Sequence, residues 1–186
     1  MIRNKSIRFI TFTAMGLALI TLFQWLSNIM PAGAVIFGPF SLKQLITGSL
    51  VNCVLIVFAG CVGLTNAVTV GILSALLASV IGVGPQILPV VPLIALGNVI
   101  IVLVYWLCAE KGNLPIILSV VISSICKCGF MWLTIPWVLS MLTKVPEKQV
   151  STLSVMFSWP QGITALIGGI IALMIIPKLK KSIKKN

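Results

Sequence analysis

Apolar runs of helical length follow one another along the whole chain, broken only by short polar, glycine- or proline-bearing connections. None alternates apolar and polar positions as a barrel strand does. Each has the length needed to cross a hydrocarbon layer roughly 30 Å thick. The pattern predicts six spans, at residues 9–29, 44–61, 65–82, 90–108, 114–141 and 153–176. The second and third are joined tightly around Gly60–Thr65, the third and fourth around Gly82–Pro89. The first run follows Arg3, Lys5 and Arg8, as a signal peptide would. It continues to Ile29 without a small-residue cleavage site and is therefore read as a mature span. The expectation is an all-α integral membrane protein, a six-helix bundle forming a single membrane domain, with a basic tail at 177–186.

Composition agrees. The chain is 59% hydrophobic and 8% charged, with mean hydropathy +1.20, whereas a soluble domain carries about 25% charged residues. The net charge of +11 is unevenly distributed. With an even number of spans both termini share a side, and that side holds Arg3, Lys5, Arg8, Lys111, Lys178, Lys180, Lys181, Lys184 and Lys185. The other side holds Lys43, Lys144 and Lys148. The positive-inside rule then puts both termini in the cytoplasm. The basic tail directly follows a span, where it serves as a topology anchor against anionic headgroups. No basic run interleaved with aromatics appears, so nucleic acid is not an expected partner.

The candidate chemistry is narrow. The chain has no histidine and only two acids, Glu110 and Glu147, both in connections. General acid–base catalysis, ion coupling through intramembrane carboxylates and metal ligation therefore lack their usual groups. No phosphate-binding glycine loop or nucleotide-binding domain is present, so ATP hydrolysis would need partner subunits. Neither an enzyme nor a cofactor is expected. Cys53, Cys61, Cys108, Cys126 and Cys128 are read as small apolar fillers; Cys126 and Cys128 lie two apart on a helix and point in different directions.

One residue breaks the pattern. Lys127 lies alone in the middle of the fifth run, where a cation is unfavourable by several kcal/mol unless it faces protein, water or a partner. No acid in any span can pair with it, so either a solute completes the site or the lysine snorkels or binds water. Polar stripes occur on other spans: Gln44, Gly48 and Asn52 at i, i+4, i+8; Asn98 after Gly97; Ser123, Lys127 and Thr134; and Ser154, Ser158 and Gln161. Asn52, Asn98 and Gln161 fall roughly 10–14 Å below the outer helix ends at about 1.5 Å per residue, and Lys127 near mid-membrane. These groups either line a pocket or hydrogen-bond helices together. Trp132, Trp137 and Trp159 form either an interfacial belt or stacking walls for a flat ligand. The connection from Pro31 to Lys43, with Gly33, Gly38, Pro39, Val35, Ile36, Phe37 and Phe40, is too apolar to sit in water and is expected to fold over the bundle as a lid.

Six short spans, both ends inside, no ATPase and a lidded outer pocket resemble the substrate-binding S component of an energy-coupling factor (ECF) vitamin transporter. At residue level Ala14-Met-Gly-Leu-Ala18 is similar to the family's Ala-x-x-x-Ala pattern. Thr47-Gly-Ser-Leu-Val-Asn52 and Ile94-Ala-Leu-Gly-Asn98 resemble its folate, pantothenate and pyrimidine-precursor branch. The resemblance implies a bacterial plasma-membrane protein that captures a small vitamin-like solute from outside and delivers it with a T component and two cytoplasmic ATPases. It implies Ala14 and Ala18 as the docking face. It implies substrate contacts from Lys127, Asn98, Gln161 and Trp159; Asn52, Trp132, Ser158 and Phe37 are further expected contacts from the polar and aromatic pattern. An uncompensated lysine favours an anionic or carboxylate-bearing solute over a cationic one. A small anion channel or facilitator, and an assembly subunit whose lysine pairs with an acid on another protein, are the competing expectations.

Overall fold

The computed structural model describes residues 2–29, 35–37, 40–84, 87–142 and 146–183. Helix α1 (Ile2–Leu26) ends in a single 3₁₀ turn (Ser27–Ile29). A two-stranded antiparallel ribbon follows, β1 (Val35–Phe37) and β2 (Phe40–Ser41). Next come α2 (Leu42–Cys61), α3 (Leu64–Val80), α4 (Val90–Trp106) with a π turn at Leu107–Lys111, α5 (Ile116–Ser140), α6 (Glu147–Met156) and α7 (Trp159–Ile183). Five segments are long and apolar enough to cross a membrane: Asn4–Ile29, Leu42–Cys61, Val90–Lys111, Ile116–Ser140 and Glu147–Ser182. Helix α3 is apolar but shorter, at 17 residues.

The helices carry apolar side chains all round, so the bundle is apolar outside as well as inside. Leu133, Met174, Trp132, Ile125 and Ile117 all face outward. Inside, two apolar cores form. One joins Ile20, Leu55, Ile56, Phe58, Ile101, Tyr105 and Ile176; the other joins Val90, Met131, Ile135, Leu139 and Phe157.

Cross-helix contacts fix which helix ends lie together. Asn66 Nδ2, at the start of α3, donates to Phe9 O and Thr13 Oγ1 in the first half of α1, both at 2.9 Å. At the same end Lys180 Nζ meets Glu110 Oε1 at 2.7 Å, tying α7 to the π turn. At the opposite end Gln44 Nε2 donates to Met156 O at 2.8 Å, and Lys43 Nζ to Asn28 Oδ1 at 2.9 Å. Lys5, Arg8, Lys111, Lys178, Lys180 and Lys181 therefore gather at one end of the bundle, while Lys43 and Lys148 lie at the other. Lys144, Lys184 and Lys185 lie outside the described residues.

The last span is not the single run expected at 153–176. Phe157 and Ser158 separate α6 from α7. Pro160 has no N–H and suits a helical first turn rather than an interior, and Ser158 Oγ turns back to the Val155 carbonyl at 2.8 Å. Proline also lies inside α5 at Pro136 and inside α7 at Pro177.

Helix α2 packs most extensively against α7, and glycine permits it. A Cβ on Gly168 would lie 2.8 Å from Cys53 N and 2.9 Å from Asn52 Cβ; one on Gly48 would lie 3.0 Å from Thr164 Cβ. A Cβ on Gly129 of α5 would meet nothing within 4 Å. Gly168→Ala should therefore force α2 and α7 apart and lower stability by about 1–3 kcal/mol in thermal unfolding of the purified protein. Gly129→Ala should be neutral or stabilising by up to about 1 kcal/mol. Equal effects at the two positions would contradict the close packing of α2 on α7.

Candidate functional site

Lys127 is buried to 3% exposure. Its Nζ donates to Asn52 Oδ1 of α2 at 2.7 Å and to Asn98 Oδ1 of α4 at 2.9 Å. Each asparagine is oriented by its own amide nitrogen. Asn98 Nδ2 donates to the Gly71 carbonyl of α3 at 3.1 Å, and Asn52 Nδ2 reaches Thr164 Oγ1 of α7 at 3.5 Å. One lysine thus connects α5, directly or through an amide, to α2, α3, α4 and α7.

Glycine makes the approach possible here too. A Cβ on Gly97 would come within 3.0 Å of Met131 Sδ and 3.8 Å of Lys127 Cε. A Cβ on Gly71 would come within 3.3 Å of Asn98 Cβ. Both lysine partners are neutral acceptors. An ammonium has three N–H donors, so two such bonds leave one donor and the whole formal charge uncompensated. Among the described residues neither acid is near: Glu110 pairs with Lys180 at the basic end, and Glu147 opens α6.

Beside this triad lies a cavity of about 310 Å³, to which every helix from α1 to α7 contributes. Its deep wall holds Lys127, Asn52 and Asn98. Gln24, Ser27, Ser41, Lys43, Gln44, Thr47 and Gln161 supply further polar groups, between Val51, Ala75, Ala78, Val83, Ile94, Leu153, Met156 and Phe157. It occupies the half of the bundle away from the basic end. Three buried polar atoms in its wall have no hydrogen-bond partner among the described residues: Gln24 Oε1, Gln44 Oε1 and Thr47 Oγ1. The nitrogens of the two glutamines are engaged, Gln24 Nε2 with the Ser74 carbonyl at 3.3 Å and Gln44 Nε2 with Met156 O. A second hollow of about 500 Å³ lies against Ile87, Pro146, Lys148, Gln149, Thr152 and Leu153. None of its polar side chains is buried, so the smaller cavity is the candidate site.

The residues singled out from sequence divide clearly. Lys127, Asn52, Asn98 and Gln161 line one cavity. Trp132 does not: it is 65% exposed on the outside of α5, because the face carrying Lys127 and Met131 turns inward and Trp132 follows directly after. Ser158 is buried at the α6–α7 break, where its carbonyl accepts from Cys128 Sγ at 3.6 Å, and it does not line the cavity. Trp159 also lies outside the lining; its ring meets Phe40 edge to face, centroids 5.4 Å apart. The Phe37 side chain, and Gly33, Gly38 and Pro39 of the expected lid, lie outside the described residues. Ala14 and Ala18 are exposed on α1, while Gly16 between them turns inward against Phe58 and Val70. Cys126 faces outward and Cys128 faces α7, where it touches the position of Gly162. Gln24 and Thr47 were not among the expected contacts, whereas Gln44 belongs to the polar stripe of α2 and does line the cavity. A lone amide near the end of the first apolar run was the available signal for Gln24.

Comparison with protein families, with curated proteins and with solved structures gives no match.

Buried polar groups that lose a partner are destabilising by about 1–3 kcal/mol, more when charge is involved. Asn98→Leu should accordingly lower the unfolding temperature of the purified protein, and adding Lys127→Met should recover part of the loss. Strict additivity of the two substitutions would mean that the side chains do not meet.

Proposed function

We propose that this protein is a solute-binding membrane subunit of the ECF S-component type, which captures a small anionic or carboxylate-bearing compound in the cavity beside Lys127. The observation that carries this reading is the lysine itself. Among the described residues it is buried, bonded only to neutral amides and set in the wall of a cavity with no acidic residue. A cationic solute would meet repulsion there; an anion would meet the one uncompensated charge in the membrane interior. The remaining wall is mostly apolar with a few convergent polar groups, as small-molecule sites are.

In this reading all six apolar segments span the bilayer. Helix α3, at 17 residues, is about 25 Å long, enough for a thin or locally adjusted hydrocarbon layer. The basic end faces the cytoplasm under the positive-inside rule, so the cavity opens from the outer half. The outward-facing pair Ala14 and Ala18 offers a small-residue surface on which a T component can pack closely, with two ATPases supplying the energy that this chain has no means to generate.

Lys127→Ala should weaken binding of the solute recovered with the wild-type protein at least tenfold, about 1.4 kcal/mol, measured by calorimetry, while the protein still inserts and purifies. Unchanged affinity would remove Lys127 from the site. Ala14→Trp or Ala18→Trp should abolish uptake by cells and leave solute binding by the isolated protein intact. Loss of binding as well would assign these alanines to the fold. Energy-independent flux through liposomes containing this chain alone would favour the channel reading instead.

A further inference from the structure

The cavity has a second recognition surface that Lys127 does not explain. Gln24 and Thr47 are 5% and 9% exposed, and each has a polar oxygen in the cavity wall without a partner among the described residues, as does Gln44 nearer the rim. Buried acceptors without partners are uncommon and unfavourable, so a group that satisfies them is strongly selected. The glutamine oxygens can only accept. Their nitrogens are bonded to carbonyls, Gln24 to Ser74 and Gln44 to Met156, which fixes the oxygen as the free end of each amide. The two glutamine oxygens therefore ask for a donor, not for a second anion, and the Thr47 hydroxyl can accept from such a group as well.

The two surfaces are separated along α2. Asn52, which holds Lys127, and Thr47 both line the cavity and lie five residues apart, about 7–8 Å along the axis. Gln44 lies three residues further out. Between the polar ends run Val51, Ala75, Ile94 and Phe157. We infer that the ligand is a polar-ended, apolar-bodied acid that lies along α2 with its anionic group inward on Lys127 and a hydroxyl or N–H group about 7–8 Å away, donating to the oxygen of Gln24 or Thr47. This rests on the proposed solute-binding role and adds the chemistry and direction of the bound molecule. The volume of about 310 Å³ lies at the small end of small-molecule sites, which admits such a molecule.

The test compares three probes on the purified protein in lipid nanodiscs, read as the rise in unfolding temperature with concentration: 6-hydroxyhexanoate, heptanoate and hexylamine. The two acids share a carboxylate and length, and only the first carries a donor at the far end. Its half-saturating concentration should be about three- to tenfold lower than that of heptanoate, the ratio a neutral hydrogen bond gives. At least one of Thr47→Val and Gln24→Leu should reduce that ratio towards one. Equal responses to the two acids in the wild-type protein would overturn the inference and leave the anion-binding reading standing. A ratio that survives both substitutions would overturn the assignment to these side chains. A response to hexylamine alone, or to none of the three, would overturn the inference together with the reading on which it rests. The wild-type comparison decides the matter even if a variant fails to fold.

Discussion

A single lysine between two amide oxygens is the constraint around which this bundle is arranged. A buried apolar interior offers no water to an isolated ammonium, so Lys127 must find acceptors within the protein. Asn52 Oδ1 and Asn98 Oδ1 supply them, at 2.7 and 2.9 Å. Those amides must in turn be held, and Gly71 O and Thr164 Oγ1 hold them. The result is a polar layer reaching five helices, lying where the two apolar cores meet. Without a hydrophobic drive between helices in lipid, close packing and interhelical hydrogen bonds must position them. Gly48, Gly71, Gly97 and Gly168 stand at the contacts that this layer requires.

Such a layer stabilises the bundle and also gives it chemistry. Amide oxygens solvate an ammonium without neutralising it, so Lys127 in its protonated form directs the field of its charge into the adjoining cavity. An aspartate or glutamate in place of either asparagine would have cancelled that field and closed the site electrostatically. Elsewhere in the cavity wall three polar oxygens, Gln24 Oε1, Gln44 Oε1 and Thr47 Oγ1, have no partner among the described residues. On the proposed reading, charge at Lys127 and neutral acceptors elsewhere in the wall let the cavity distinguish the two ends of a bound molecule.

Much of this was legible in the sequence because the relevant signals are exceptions to a uniform background. A lone lysine in an apolar run is conspicuous, and the i, i+4, i+8 spacing of Gln44, Gly48 and Asn52 defines a face without knowledge of the fold. Counting residues from the helix ends placed Asn52, Asn98 and Gln161 at comparable depth, and all three line the same cavity. The rotation of each helix was harder to read. These helices are apolar on every side, so nothing in the pattern says which side faces lipid, and Trp132 illustrates the consequence on the outside of α5. Gln24 was missed for the related reason that one amide defines no stripe. The break at Phe157–Ser158 follows from a proline whose effect depends on where the helix begins, which periodicity alone does not fix. Trp159 lies beside that break, and its ring is engaged with Phe40 rather than with the cavity.

The account's central claim is that the charge balancing Lys127 is brought by a bound solute. Mass spectrometry of the small molecules released on denaturing the purified protein, compared with an otherwise identical Lys127→Met preparation, tests it most directly. The account predicts one organic anion, near one per protein chain, in the wild-type sample and its depletion in the variant. A released compound that is cationic, or an anion retained equally by both preparations, would contradict it.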